Sequence, residues 1–214
     1  AQTEVSEATR TATFTPGRDA ARKEASKLNV PRIGVRFRLP ASMNQVEYFG
    51  RGPAENYLDR NAGSMVGLYK STAEELYFPY VRPQENGHHT DTRWVSLSTG
   101  KKGLLIQADN TIGFNALRNS IEDFDDEEAT GLPRQWSNFT PEQVANHDEA
   151  AAKNVLRRQH HINNITPRDF VEVCVDLKQQ GVAGYDSWGS RPEPAYTLPA
   201  NREYNWGFTL IPLK

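Results

Sequence analysis

A strand that leads directly into a glycine-rich loop constrains the fold of this chain more than any other feature. Alternate positions over 173–177 are apolar, as expected for a β-strand with one buried face. Glycines at positions 181, 184 and 189 follow, and they allow backbone turns that a Cβ atom would forbid. Trp188 lies in this loop next to Ser187. Its indole has two interpretations: it contacts a partner molecule, or it folds back as a lid on its own sheet.

Alternation of apolar and polar residues recurs along the chain and predicts an all-β fold. The expected strands cover residues 11–15, 33–39, 45–49, 94–98, 103–108, 112–117, 170–177 and 203–213. Their apolar faces predict a core that contains Ile33, Val35, Phe37, Leu105, Val173, Val175, Phe208 and Leu210. One surface helix is expected near 141–158, because Thr140 and Gln143 form a capping box and Pro141 suits the first helical position.

Length and composition limit the classes of protein. With 214 residues we expect one domain over 31–214, preceded by a polar segment over 1–30 that is a linker or a partial strand. The net charge of -2 gives no electrostatic reason to expect nucleic acid or an anionic membrane as partner. A mean hydropathy of -0.71 is polar for this length, as expected of a domain that packs against another one. Without a membrane-length apolar run or a signal-peptide pattern, the sequence predicts a soluble molecule.

The single cysteine excludes a further class of site. Cys174 is the only cysteine, so the chain can form no internal disulfide and no thiolate metal cluster. Because it stands in an apolar strand, we expect a buried and unreactive thiol.

Three long runs, in matching order and spacing, connect this chain with a known family. The loop at 181–192 reads G-V-A-G-Y-D-S-W-G-S-R-P and resembles the motif G-V-G-G-x-x-S-W-G-x-x-P. Residues 31–37, P-R-I-G-V-R-F, and 48–60, Y-F-G-R-G-P-A-E-N-Y-L-D-R, resemble L-P-R-I-G and G-R-G-P-x-E-N-Y-x-D-R. Residues 77–94, Y-F-P-Y-V-R-P-Q-E-N-G-H-H-T-D-T-R-W, resemble Y-x-x-P-Q-E-N-G-x-x-x-D-x-R-W. These motifs belong to the small-chain domain, at the C-terminal end, of glycoside hydrolase family 2 β-galactosidases, and the resemblance covers residues 31–212.

The resemblance implies a fold and a role. The fold is a large, twisted antiparallel supersandwich similar to galactose mutarotase. The parent is a bacterial enzyme, cytoplasmic or periplasmic, that hydrolyses terminal non-reducing β-D-galactosides with retention, and this domain packs on its catalytic barrel. Trp188 is then the residue that contacts the galactoside substrate, with weaker contributions from Asp186 and Ser187. Enzymes of this family often use Mg²⁺ and Na⁺ at sites mostly outside this domain, so no cofactor is expected in this chain.

We do not expect the chain to be catalytic alone. Retaining hydrolysis needs two carboxyl groups about 5 to 5.5 Å apart. The family takes them from a barrel of about 250 residues, which has no counterpart here. The acidic pairs in this sequence, Glu74 with Glu75 and those in 122–128, lack apolar surroundings that would raise a pKa and are expected to be solvated. The 122–128 run also lacks the ligand spacing of a calcium loop. Separated from its barrel, such a domain is expected to self-associate through an exposed apolar patch.

Two other functions remain open. One is an independent carbohydrate-binding module. The other, implied by the likeness to mutarotase, is a sugar epimerase with Glu85 as base and His88 as acid. The Asn-Gly step and the prolines near these two residues instead favour a structural corner. The adjacent histidine pairs at 88–89 and 160–161 are expected to make structural hydrogen bonds and to bind no metal, because strand neighbours point to opposite faces.

Overall fold

The computed structural model describes residues 6–12, 28–81, 84–124, 162, 165–186 and 189–214, with only the backbone for 6–12. The predicted helix near 141–158 lies outside the described residues, and so do Ser187, Trp188 and the histidines at 147, 160 and 161. No α-helix occurs within the described ranges, and they therefore contain no helix that could cross a bilayer.

The described chain forms one eight-stranded antiparallel sheet, which confirms the all-β prediction and is consistent with a β-sandwich. The strands are β1 (Ser6–Ala12), β2 (Arg32–Pro40), β3 (Gln45–Gly52), β4 (Met65–Thr72), β5 (His89–Ser98), β6 (Gly103–Leu117), β7 (Phe170–Gln179) and β8 (Tyr204–Leu213). The main path through the sheet runs β1-β8-β6-β5-β3-β4, and β2 joins it through β7, which pairs with β6. Short 3₁₀ turns cover Ile121–Phe124 and Pro194–Tyr196.

The long strand β6 connects the two parts of the sheet. Residues 103–108 of β6 pair with β8, whereas residues 113–117 pair with β7. The sequence predicted two strands here, because Asp109 and Asn110 interrupt the apolar pattern. The partner strand β5 is irregular at 89–94, where Asp91 adopts a φ of 51°, and β6 continues past this irregularity as a single strand.

One hydrophobic cluster joins both parts of the sheet. It contains buried side chains from β3, β5, β6, β7 and β8. Phe114 of β6 lies at its centre: its ring makes an edge contact with Tyr48, at 5.1 Å between centroids, and stacks on His89 at 5.0 Å. Because Ile106 and Phe114 come from the two halves of β6, a single strand supplies the cluster from both parts of the sheet.

Most of the predicted core residues belong to this cluster or pack against it: Val35, Phe37, Val173, Val175, Phe208 and Leu210. Ile33 is half-buried and lies outside it. The prediction for Leu105 was wrong, because this residue lines an open groove while Leu104 and Ile106 contact the core. Side chains alternate along a strand, so an error of one position moves a residue to the opposite face.

Both ends of the sheet differ from the prediction. At one end, β1 starts at Ser6, earlier than the expected strand at 11–15, and pairs with β8 from Ser6–Leu210 to Ala12–Tyr204. The N-terminal segment thus contributes a strand to the same sheet. At the other end, the edge strand β4 was not predicted, because apolar residues on both of its faces are exposed and its sequence does not alternate.

Candidate functional site

The glycine-rich loop begins at the end of β7, where β2 holds the chain on one side. The backbone N–H of Gln180 donates to the carbonyl oxygen of Pro31 at 2.9 Å. Arg32 Nη2 donates to Gln179 Oε1 at 2.8 Å. The start of the loop is therefore fixed by the segment that carries the P-R-I-G motif.

Asp59 holds the next part of the loop. Its Oδ1 accepts a hydrogen bond from the N–H of Val182 (3.1 Å), and its Oδ2 accepts one from the N–H of Ala183 (2.8 Å). The Tyr185 hydroxyl also donates to Oδ2, at 3.2 Å. A Cβ atom on Gly181 would come within 2.6 Å of this carboxylate, so only glycine allows the close approach.

The described parts of the loop on either side of residues 187–188 are hydrogen-bonded to each other. The N–H of Tyr185 donates to Ser190 Oγ (3.0 Å), and the N–H of Ser190 donates to Asp186 Oδ1 (3.3 Å). Gly184 and Gly189 both adopt positive φ, at 77° and 82°, which the turn needs and glycine supplies. Of the predicted substrate residues, Asp186 is exposed in this turn, and the other two lie outside the described residues.

Charged and polar side chains cluster around Arg32 at the base of the loop. Its Nη2 donates to Asn115 Oδ1 (2.5 Å) and lies 3.7 Å from Glu85 Oε1. Its Nε lies 3.0 Å from Asp176 Oδ2, but the two groups are not aligned as a hydrogen bond. His88 Nδ1 lies 3.8 Å from the same oxygen, and among the described residues neither Asp176 oxygen has a hydrogen-bond partner. Gly34 makes room for this carboxylate, since a Cβ there would fall 2.0 Å from Oδ1.

Burial sets the charges in this cluster. It raises the pKa of Asp176 to about 7, an effect that Arg32 opposes and Glu85 increases. Burial and the positive charge of Arg32 lower the pKa of His88 to about 3, so this imidazole is neutral at physiological pH. His88 Nδ1 lies 2.8 Å from Asn115 Oδ1, which can only accept, so Nδ1 carries the proton.

Glu85 and His88, the residues of the epimerase alternative, both contact Arg32. Glu85 lies at 3.7 Å and His88 Nδ1 at 3.5 Å from its Nη2. Their exposure differs, because the Glu85 side chain is 33% exposed whereas His88 is 1% exposed and stacks on Tyr57. Both side chains thus connect the segment between β4 and β5 with Arg32 of β2.

The motif at 48–60 contacts the same segment as well as the loop. Asn56 Oδ1 accepts from the backbone N–H of Thr90 (3.0 Å) and from its hydroxyl (2.6 Å). The N–H of Asn56 donates to the carbonyl of His88 (2.7 Å), and the N–H of Gly87 donates to Glu55 Oε2 (2.6 Å). The short segment 55–59 therefore connects two parts of the chain. Glu55 and Asn56 contact residues 87–90, and Asp59 holds the glycine-rich loop.

Of the acidic residues expected to be solvated, three that the structure describes are paired with arginines, and those at 125–128 lie outside the described residues. Glu74 and Glu122 each accept a 2.6 Å bond from an arginine. Asp123 corrects the prediction of a solvated loop, because it is only 4% exposed and pairs with Arg168. In the parts of the chain that are described, no three His, Cys, Asp or Glu side chains lie close enough together to hold a metal ion.

An exposed apolar surface lies at the β4 edge of the sheet. We define the β4 patch as Phe49, Val66 and Leu68, which are 38%, 41% and 60% exposed. Phe49 and Leu68 are direct partners across β3 and β4, so they share one face. The guanidinium of Arg93 covers one side of the Phe49 ring at 5.6 Å.

Comparison with known proteins gives a consistent result. The family model described as Beta galactosidase small chain matches residues 3–210. A protein named beta-galactosidase from Priestia megaterium is 35% identical over 185 residues, which cover 86% of this chain and 15% of that protein. A beta-galactosidase from Vibrio cholerae is 29% identical over 181 residues, which cover 85% of this chain and 14% of that protein. One from an Arthrobacter strain is 42% identical over 99 residues, which cover 44% of this chain. The chain thus spans only 15% of the length of the Priestia relative.

Proposed function

Because the chain belongs to the beta-galactosidase small-chain family, we propose that it is one domain of a larger enzyme that hydrolyses terminal non-reducing β-D-galactosides. Within that enzyme, the loop at 181–192 presents Trp188 to the galactoside substrate, with Asp186 and Ser187 beside it. The domain's contribution is to substrate binding, and the bond-breaking groups belong to the catalytic barrel of the same enzyme.

The observation that carries this proposal is the anchoring of the loop. The start of the loop is hydrogen-bonded to the segment before β2, and its middle is hydrogen-bonded to Asp59. Tyr185 and Ser190, which lie on either side of residues 187–188, are hydrogen-bonded to each other. A loop held at so many points loses little conformational freedom when it contacts a ligand. An indole on such a support offers a flat apolar surface to the C–H face of a sugar, which suits a substrate-binding role for Trp188.

The described carboxylates support placing the hydrolytic groups elsewhere. Asp176 has the raised pKa of a general acid, at about 7, yet it is 1% exposed and faces Arg32. A general acid must come within hydrogen-bond distance of a substrate oxygen, and a carboxyl group as buried as that of Asp176 is not accessible to a substrate. No group of three His, Cys, Asp or Glu side chains among the described residues could hold a metal ion, and no step of this proposal uses a metal.

We assign the β4 patch to contact with the rest of the larger enzyme. Val66 and Leu68 belong to the edge strand β4 and Phe49 to the neighbouring strand β3, and a soluble domain normally places charges at such an edge. Covering these side chains would remove them from water and shield the backbone groups of β4. This assignment is also the basis for expecting the isolated chain to self-associate.

The test is Trp188→Ala in the full-length enzyme that contains this chain. Loss of an aromatic anchor should raise KM for lactose or a nitrophenyl β-galactoside by about 5-fold to 150-fold, while kcat changes little. Trp188→Phe is the matched control, because it keeps an aromatic face and should retain most of the affinity. The thermal midpoint of the isolated variant chain should stay close to that of the parent chain.

The opposite pattern would contradict the proposal. If Trp188 is a packed lid on its own sheet, Trp188→Ala should cost about 3 kcal/mol or more of stability and leave KM unchanged. Titration of the isolated chain with galactose and lactose checks the remaining alternatives. Millimolar binding by the lone chain would favour an independent carbohydrate-binding module, and a polarimetric mutarotation assay would reveal an epimerase.

A further inference from the structure

We propose that Asp59 is a positioning residue, which sets the place of Trp188 by holding the loop that carries it. The inference rests on the proposed function, since it concerns how the same loop reaches the substrate. Asp59 is 129 positions from Trp188 in the sequence, but its carboxylate is the side chain that receives the backbone of residues 182 and 183.

The contacts of Asp59 are directed at the loop backbone. Both carboxylate oxygens are used: Oδ1 by the N–H of Val182, and Oδ2 by the N–H of Ala183 and the hydroxyl of Tyr185. A carboxylate can accept at both oxygens, whereas an amide has one acceptor and turns its NH₂ group toward one of these donors. The arrangement therefore requires aspartate, and asparagine of the same size cannot replace it.

Neighbouring residues fit the same role. The nearest atoms to a Cβ built on Gly181 all belong to Asp59, at 2.6 to 3.0 Å, so the absence of a side chain at 181 serves this contact. Two and three positions later, Ala183 and Gly184 have φ angles of 54° and 77°. Such angles reverse the direction of the chain, and the two backbone hydrogen bonds that Asp59 accepts fix where the reversal occurs.

Losing this anchor should affect substrate binding more than the chemical step. A loop with several accessible conformations binds with an affinity reduced by the fraction of time it spends in the competent one. Charge-assisted hydrogen bonds to backbone N–H groups shift such equilibria by about tenfold or more, and an asparagine, which keeps one acceptor, loses only part of this effect. We therefore expect Asp59→Asn to raise KM by about 3-fold to 10-fold at nearly constant kcat.

The experiment is a double-mutant cycle in the full-length enzyme, with a nitrophenyl β-galactoside and lactose as substrates. It compares Asp59→Asn, Trp188→Ala and the double variant. If Asp59 acts through Trp188, the double variant should have the KM of Trp188→Ala alone, because an absent indole cannot be displaced. Full additivity of the two effects on KM would overturn the inference.

Two more variants keep the test decisive if Asp59→Asn folds poorly. Gly181→Ala introduces a Cβ against the Asp59 carboxylate and leaves every polar group in place, so it should raise KM in the same way. Asp91→Asn is the matched control: it weakens a partly exposed pair with Arg51, away from the loop contacts, at a φ of 51° that asparagine tolerates, and KM should not change. If Trp188→Ala raises KM but Asp59→Asn and Gly181→Ala do not, the positioning role is wrong while the proposed function stands. If Trp188→Ala leaves KM unchanged, the proposed function fails and this inference fails with it.

Discussion

Replacing Arg32 with methionine should destabilise the 214-residue chain, and more strongly at high pH than at low pH. Arg32 Nε is 3.0 Å from the carboxylate of Asp176, whose side chain is only 1% exposed. Removing one partner of a buried ion pair typically costs about 3 to 5 kcal/mol, because the remaining charge is left without compensation. Methionine preserves most of the side-chain volume, so the change tests charge more than packing.

The pH dependence follows from the raised pKa of Asp176. Its ordinary pKa is 3.8, and burial raises the folded-state pKa to about 7. The unfolded chain therefore loses this proton first, and the contribution of Asp176 to stability falls as the pH rises from 3.8 to about 7. The positive charge of Arg32 lowers the pKa of Asp176, so without Arg32 the folded-state pKa moves above 7. In the variant, stability should then continue to fall by about 1.4 kcal/mol per pH unit up to the new pKa.

Urea denaturation at about pH 5 and pH 8.5 measures this difference. We expect the variant to lose about 2 kcal/mol more at the higher pH, which is the slope applied over the interval above pH 7. Lys70→Met is the matched control, because Lys70 is 75% exposed in its pair with Glu47 and should matter by less than about 0.5 kcal/mol at either pH. An equal loss at both pH values would refute the argument that Arg32 compensates a buried carboxylate.

Three further predictions concern the core, the surface and the thiol. Phe114→Ala should cost about 3 to 5 kcal/mol in urea denaturation, because the ring is fully buried between both parts of the sheet, and a loss below about 1 kcal/mol would contradict that position. The isolated chain should associate with increasing concentration in analytical ultracentrifugation, and Leu68→Lys in the β4 patch should reduce the association; a strict monomer would count against the patch. Cys174 should react with a thiol reagent at least about a hundredfold more slowly in the folded chain than in urea, because burial raises the pKa of its thiol to about 12; equal rates would show that the site is open.

A strand whose buried and exposed positions alternate could be predicted from the sequence, whereas the exposed edge strand could not. In β2, Val35 and Phe37 alternate with Arg36 and Arg38, and the two apolar side chains are half-buried while the two arginines are exposed. In β4, by contrast, Met65, Val66 and Leu68 are all exposed, so burial gives no period-two pattern. The run Leu104, Leu105, Ile106 has three apolar residues in sequence, and nothing local indicates which of them faces the core.

The site was only partly predictable, for a similar reason. Glycines and a tryptophan between small residues indicate a display loop from local sequence alone. The role of Asp59 in holding the loop could not be found in this way, because Asp59 is 123 and 124 positions from Val182 and Ala183 in the sequence. Nor does the sequence around Arg32 indicate that this residue reaches Glu85, Asn115 and Asp176. Contacts between distant segments are determined by topology, which single-sequence patterns do not encode.

One departure from the family motif shows how the loop and its anchor depend on each other. The motif has glycine where this chain has Ala183, and Ala183 adopts a φ of 54° that disfavours residues with a Cβ by about 1 to 2 kcal/mol. Ala183 is only 5% exposed, and burial of its methyl group recovers part of that cost. The hydrogen bond from its N–H to Asp59 is charge-assisted and is worth about 1.5 to 3 kcal/mol, enough to outweigh the remainder. A strained residue persists only where its surroundings determine its conformation, so the backbone before Trp188 depends on the carboxylate of Asp59.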